Sequence, residues 1–143
     1  MSKIAIVYWS GTGNTEIMAN CIAEGVKAAG GEVEMIDPAS FNAQSFSGYN
    51  AVAFGCSAMG AEQLEETEFE PMFESIEGSL MGKKIALFGS YGWGDGQWMR
   101  DWYKRCDDDG ATLIEDSGLM AHETPDADVE ASCRALGGKL AAC

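Results

Sequence analysis

The sequence predicts a three-layer α/β fold, in which a parallel β-sheet carries helices on both faces. Short apolar segments alternate with segments of helical periodicity along the whole chain. The first apolar run, residues 4–9, is continuous, as in a strand that is buried on both faces. A length of 143 residues suits one compact domain. We therefore expect a single α/β domain over residues 1–143.

Five strand positions follow from the apolar segments. The first four predicted strands are residues 4–9, 32–36, 51–55 and 85–89. The second strand alternates polar and apolar residues, so it is expected nearer the edge of the sheet. Two short segments, 112–114 and 119–121, share the fifth position.

Three helices are predicted between and after these strands. Residues 15–29 have helical spacing and end at two glycines, and residues 97–106 place tryptophans on related turns. The last helix is predicted to begin at Thr124, with Thr124 as N-cap, Pro125 in the first turn and Asp126 near the positive end of the helix dipole.

The charge is strongly acidic. The chain has 9 basic and 23 acidic residues, a net charge of −14, and there is no Lys or Arg between Lys27 and Lys83. Seven glutamates crowd the same stretch: Glu62, Glu65, Glu66, Glu68, Glu70, Glu74 and Glu77. Such a field repels nucleic acid and anionic membranes and favours protein partners with basic surfaces.

The apolar segments and the cysteines indicate the compartment. No apolar run reaches the roughly 18 residues of a membrane span, and the N-terminal residues do not resemble a secretory signal. The five cysteines are widely spaced and there is one histidine, which argues against zinc or dithiol chemistry. We expect a cytoplasmic protein without a metal, whose cysteines are mostly small buried side chains, with Cys143 exposed.

Three loops follow the strands that end near residues 9, 55 and 89, where a parallel sheet of this kind binds its ligand. The first loop contains two glycines, an amide and three hydroxyls, in the order Ser10, Gly11, Thr12, Gly13, Asn14 and Thr15. Its glycines let backbone N–H groups converge at a helix N-terminus, which favours a phosphate. The loop lacks the lysine of a P-loop and the third glycine of a dinucleotide fingerprint. We expect it to bind phosphate without a cationic side chain.

The other two loops carry large side chains next to glycines. The second consists of Ser57, Ala58, Met59, Gly60, Ala61 and Glu62. The third begins with Ser90, Tyr91, Gly92, Trp93 and Gly94. Met59 and Glu62 alone would be interpreted as a core side chain and a surface acid. Trp93 has glycine on both sides and little to pack against, so it is suited to lie against a planar ligand.

Together, these loops resemble the flavodoxin family, in particular the short-chain flavodoxins of anaerobic bacteria. The resemblance is carried by residues 6–16, 55–60 and 82–96, and it extends over nearly the whole chain. It implies a flavodoxin-like sheet of five strands in the order 2-1-3-4-5 and non-covalently bound FMN. It also implies a low-potential one-electron carrier, not an enzyme, that uses semiquinone and hydroquinone states. The implied partners are redox proteins such as ferredoxin- or flavodoxin-linked oxidoreductases. The protein itself is expected to be a monomer.

The resemblance also implies residue roles. Ser10, Thr12, Asn14 and Thr15, the loop N–H groups of Gly11 and Gly13, and the Ser90 hydroxyl would hold the phosphate. Trp93 and Met59 would cover the two flavin faces, and Glu62 would accept from the flavin N3–H. The Gly60–Ala61 peptide would flip on one-electron reduction, which requires a positive φ at residue 61. Because alanine tolerates that conformation less well than glycine, Ala61 is expected to lower the first reduction potential.

Three other classes of protein compete with this interpretation. An FMN-dependent NAD(P)H:quinone oxidoreductase of the same fold would need space beside the flavin and a second phosphate site, whereas the three loops contain no basic residue. A phosphoacceptor receiver domain would need an aspartate at the end of the third strand, where the chain has Gly55 and Cys56. A cofactor-free binding module would be colourless when purified.

Overall fold

A computed structural model describes residues 2–11, 13–59, 63–92 and 94–143. The strands are β1 (Lys3–Trp9), β2 (Glu32–Ile36), β3 (Ala51–Cys56), β4 (Lys84–Tyr91), β5 (Thr112–Leu113) and β6 (Leu119–His122). The α-helices are α1 (Asn14–Ala28), α2 (Phe69–Ile76), α3 (Gln97–Asp108) and α4 (Ala127–Ala141). Short 3-10 helices cover Pro38–Ser40, Ala43–Gly48 and Glu77–Ser79. Within these residues, no helix has the length and apolar character needed to cross a bilayer.

The sheet has the predicted order. β2, β1, β3, β4 and β5 lie side by side, and every one of these pairs is parallel. β6 also pairs with β4 in parallel, further along it than β5, so the two short segments share the fifth position as predicted. Because the strands are parallel, Trp9, Cys56, Tyr91 and His122 end at one edge of the sheet, which we call the carboxyl edge.

Each face of the sheet is covered by two helices. On one face, α2 and α3 pack against β-strand side chains in a cluster that includes Phe54, Phe73 and Trp102. On the other face, α1 and α4 cover a second cluster that includes Met18 and Leu136. The predicted three-layer fold is confirmed.

The start of α4 differs from the prediction. Asp126, not Thr124, is the N-cap: its backbone is extended (φ −87°, ψ −178°) and its Oδ1 accepts the N–H of Val129 at 2.9 Å. Both residue types cap helices, and here the carboxylate reaches the third helical N–H. Pro125 therefore precedes the helix, and Thr124 belongs to the loop after β6.

Candidate functional site

A cavity of about 410 Å³ lies at the carboxyl edge of the sheet. Its lining comes from the loops after β1, β3, β4 and β6, and consists of Trp9, Gly11, Asn14, Ser57, Ala58, Met59, Ser90, Tyr91, Gly92, Glu123 and Thr124. This volume is within the range of small-molecule sites. Among the described lining residues, Glu123 is the only charged one.

Three buried hydroxyl-bearing residues join the predicted loops. Thr15 Oγ1 lies 2.7 Å from Ser57 Oγ and accepts the backbone N–H of Ser90 at 3.2 Å. A backbone bond from Ala58 N–H to Ser90 C=O (3.0 Å) reinforces the contact. Thr15 has no exposed surface, and Ser57 and Ser90 are 9% and 4% exposed. This Thr15–Ser57–Ser90 cluster brings the ends of β1, β3 and β4 together.

Two of the predicted phosphate ligands, the hydroxyls of Thr15 and Ser90, already form hydrogen bonds within the protein. The Thr15 hydroxyl is engaged within the cluster, and the Ser90 hydroxyl donates to the Glu123 carbonyl at 2.7 Å. Both hydroxyls therefore hold protein segments in place, and their contact with a phosphate stays a prediction.

The first loop leads into the N-terminus of α1, where the N-cap residue is a glycine. Gly13 precedes α1 with a left-handed backbone (φ +94°) and has no side chain to cap it. Ser10 Oγ accepts the N–H groups of Gly13 at 3.1 Å and Glu16 at 3.3 Å. A Cβ at Gly11 would lie 2.9 Å from the edge of the Trp9 ring, so a larger residue there would have to displace that ring. The loop thus offers N–H groups and the positive end of a helix dipole, the arrangement that binds anions.

In the second loop, Met59 is bonded to Gln63 through the backbone. The backbone groups of Met59 and Gln63 exchange two hydrogen bonds, of 2.8 and 2.9 Å. Met59 is 38% exposed and lines the cavity, and its role in covering a ligand stays a prediction. The predicted residues Gly60, Ala61 and Glu62 lie outside the described residues, as does Thr12 of the first loop.

The third loop is held by aromatic contacts. Tyr91 stacks on His122, with ring centroids 4.9 Å apart, and packs against the core residue Trp98 at 5.4 Å. The Gly92 carbonyl lies 3.1 Å from His122 Nε2. Gly94 has φ +88°. Trp93 lies outside the described residues, so its predicted stacking stays a prediction.

A fourth loop, residues 123–126, was missed by the sequence analysis, as was Trp9. Glu123 is the only non-glycine residue of the described segments with a left-handed backbone (φ +62°). Its N–H donates to the Tyr91 carbonyl at 2.7 Å, and its carbonyl accepts from Ser90. No glycine or asparagine signals this turn in the sequence. Trp9 could have been found, because the last residue of a central strand lies at the carboxyl edge.

The family model described as flavodoxin matches residues 6–136. The chain is 48% identical over 136 residues to a flavodoxin of Clostridium beijerinckii, covering 95% of this chain and 97% of that protein. It is 47% identical to a flavodoxin of Megasphaera elsdenii, covering 94% and 95%. The solution structure of the two-electron reduced Megasphaera elsdenii flavodoxin superposes with a TM-score of 0.88 over 98% of this chain and 99% of that one.

Proposed function

Because the chain belongs to the flavodoxin family, whose members are FMN electron carriers and not enzymes, we propose that the cavity at the carboxyl edge holds FMN. FMN, when bound, supplies the redox chemistry. The observation that carries the proposal is the Thr15–Ser57–Ser90 cluster, which joins three predicted binding loops around one cavity.

The donors of the first loop fit a phosphate. The N-terminus of α1, the Ser10 hydroxyl and the Asn14 amide offer hydrogen bonds without a cation. Gly11, Thr12, Gly13 and Thr15 complete this proposed phosphate loop.

The remaining loops are proposed to hold the flavin ring. Met59 and Trp93 would cover its faces, and Glu62 would accept from N3–H. The other proposed contacts are Ser57, Ala58, Gly60, Ala61, Ser90, Tyr91, Gly92 and Gly94. To these we add Trp9, Glu123 and Thr124, which line the cavity. The Glu123 carboxylate and the absence of cations among the described lining residues support a low reduction potential of the flavin. Both features disfavour the negative charge that the flavin gains on reduction.

Titration of the flavin-free protein with FMN and with riboflavin tests the phosphate loop. We expect FMN to bind at least about tenfold more tightly, because a phosphate gains charge-assisted hydrogen bonds at the helix N-terminus. Ser10→Ala should weaken FMN binding and leave riboflavin binding unchanged. The matched control is Ser47→Ala, whose hydroxyl bonds Gln44 in the segment that leads to the opposite edge of the sheet. Equal affinities for both flavins would overturn the proposed loop.

We further propose that the redox partners dock through basic surfaces. An open groove beside the first loop is lined by Tyr8, Glu16, Asp37 and Glu68, among others. Burial raises the pKa of Tyr8, and the nearby Glu16 carboxylate adds to the shift. Glu123 lines the cavity and the other carboxylates line a groove that shares Trp9 with it, so negative charge lies in and beside the cavity and steers cationic surfaces toward it. Nucleic acid would be repelled by the same field.

Electron transfer to a basic redox protein, measured against ionic strength, tests this docking. The double variant Asp37→Asn, Glu68→Gln should slow association and reduce its salt dependence. Glu32→Gln with Asp107→Asn removes the same charge at the opposite edge of the sheet and is the control. Equal slowing by both pairs would argue against a docking surface at the cavity. We propose a monomer in a reducing compartment such as the cytoplasm, which the five free cysteines support.

A further inference from the structure

The backbones of α1 and α4 approach each other unusually closely. A Cβ at Gly25 would lie 2.0 Å from the Arg134 carbonyl oxygen, and a Cβ at Gly137 would lie 2.2 Å from the Ile22 carbonyl oxygen. Neither position can therefore hold a side chain. The two helices touch backbone to backbone where Gly25 and Gly137 meet.

The two helices also run in the same direction. Each follows a strand of a parallel sheet and begins at the carboxyl edge. At their other ends, a Cβ on Gly31, just after α1, would lie 3.1 Å from Ala141 Cβ at the end of α4. An ion pair between Glu24 and Arg134 (3.3 Å) spans the helices at the level of the crossing. Residues one turn before the crossing must therefore face each other.

Cysteines occupy both of these positions. Cys21 is four residues before Gly25 and Cys133 is four residues before Gly137, so each lies on the same helix face as its glycine. Both are buried in the same apolar cluster, at 5% and 0% exposure. Burial raises the pKa of Cys133 to about 12, and the Cys21 sulfur is among the groups that contribute to this shift. Both thiols therefore lie at the α1–α4 interface, one turn before the glycine crossing.

The other cysteines have no such arrangement. Cys56 Sγ accepts the Glu65 N–H and donates to the Ser57 carbonyl, each at 3.4 Å. Cys106 lies in the core on the opposite face of the sheet, and Cys143 is half-buried at the end of the chain. All five are free thiols in this structure. A disulfide between Cys21 and Cys133 would need their Cα atoms close together, and the nearby glycine crossing brings the two helix backbones to such a short separation.

We propose that Cys21 and Cys133 form a disulfide between α1 and α4 when the protein meets a low-molecular-weight disulfide as oxidant. Cys21 reacts first, because it borders an open groove with Glu24 and Arg134, whereas Cys133 is fully buried. The Cys21 thiolate attacks one sulfur of the oxidant, forming a mixed disulfide and releasing one thiol. The Cys133 thiolate then attacks the Cys21 sulfur and releases the second thiol. Two protein thiols lose two protons and two electrons, and the oxidant becomes two thiols.

The crosslink has a direct structural consequence. It would join the helix that follows the first loop to the helix that follows the fourth, so it fixes two walls of the cavity to each other. It closes a chain loop of about 110 residues, which strongly restricts the unfolded state. Because burial raises the pKa of both thiols, formation should be slow at neutral pH and faster in mild alkali.

The test incubates the purified full-length protein with oxidised glutathione at about pH 8.5, where thiolates are more abundant. We expect the intact mass to fall by about 2 Da as two hydrogens are lost. Non-reducing digestion should yield the peptides of Cys21 and Cys133 joined. The Tm should rise by about 5–10 °C and return on reduction.

Variants separate this pair from the other thiols. Cys21→Ser and Cys133→Ser should abolish both the mass loss and the oxidant-dependent rise in Tm, each compared with its own reduced form. Cys143→Ser should retain both, which distinguishes the crosslink from oxidation at the chain end. Three results with the unsubstituted protein would each overturn the proposal: a stable glutathione adduct on Cys21, a crosslink to another cysteine, or no change in mass after incubation with oxidised glutathione.

Discussion

Thr15→Val removes the hydroxyl at the centre of the Thr15–Ser57–Ser90 cluster while keeping nearly the same side-chain shape. The change leaves the Ser57 hydroxyl and the Ser90 N–H without the partner they have at 2.7 and 3.2 Å. Thr15 has no exposed surface, so water cannot easily take the place of its hydroxyl. Each buried group that loses its partner costs about 1–2 kcal/mol, which predicts a fall in the free energy of unfolding of about 2–4 kcal/mol.

Urea unfolding of the flavin-free protein measures this loss without the contribution of ligand binding. The midpoint should fall while the slope with denaturant stays unchanged. Thr15→Ser is the matched control, because it keeps the hydroxyl and loses one methyl group, at a cost of about 1 kcal/mol. A double-mutant cycle with Ser57→Ala should give a coupling energy of about 1 kcal/mol, since both changes remove the same bond.

The variant should also bind FMN at least about tenfold more weakly, because three loops lose their common fixed point. This second measurement separates the cluster from ordinary core packing. The buried hydroxyl does not join the loops as argued if Thr15→Val is no less stable than Thr15→Ser. The same holds if the double variant loses the full sum of the unfolding free energies that Thr15→Val and Ser57→Ala lose separately.

Three further predictions concern single positions. Glu123→Gly should raise the free energy of unfolding by about 1 kcal/mol, because glycine accepts a φ of +62° without strain; Glu123→Gln keeps the strain, and equal stability of the two variants would contradict the prediction. A hydrogen bond to the Glu77 carboxylate, together with burial, raises the pKa of Asp109 to about 6. The stabilisation from its bound proton is therefore complete below about pH 4 and is lost as the pH rises through 6. Asp109→Asn should flatten this part of the stability–pH curve and add about 1 kcal/mol near pH 7.5, whereas a variant curve parallel to the original would refute it. Ala61→Gly, outside the described residues, should raise the first reduction potential of the FMN-bound protein by about 40 mV, the equivalent of roughly 1 kcal/mol for one electron. A spectroscopic reductive titration measures it, with Ala61→Ser as control; an unchanged or lower potential would count against the proposed turn.

The strands were predictable because a sheet buried on both faces imposes a simple pattern on the chain. The second strand was predicted with its observed bounds, and the first and third to within one residue at each end. The sharing of the fifth strand position by β5 and β6 could also be predicted, because each of the two apolar segments is too short to fill that position alone. Local apolar runs sufficed here because burial on both faces leaves no alternative placement for them.

The fourth wall of the cavity could not be predicted from local pattern. Thr124 and Asp126 are both good helix caps, and only the observed bond to Val129 N–H decides between them. The left-handed turn at Glu123 is held by distant groups, the Ser90 hydroxyl and the Tyr91 carbonyl. A residue whose conformation is imposed by tertiary contacts gives no propensity signal of its own.

The sequence also does not show which glutamates are exposed and which are bonded within the protein. The glutamates between residues 62 and 77 look like one acidic surface, but the structure divides them. Burial alone would raise the pKa of Glu65, yet its carboxylate accepts bonds from Thr67, Glu68 and Phe69 at the start of α2, and these lower it.

Two more of these glutamates are engaged inside the protein. Glu70 and Glu77 hold Arg105, which also lies over the Phe73 ring at 5.0 Å. These carboxylates hold α2 and the 3-10 helix after it against α3, and Arg105 offsets one of their two negative charges, so the group contributes less to the surface field than two free glutamates would. Glu68 is exposed and borders the groove beside the first loop. If partners dock through basic surfaces as proposed, their steering depends on the few carboxylates around the cavity, and the two paired variants of equal charge change measure that local contribution directly.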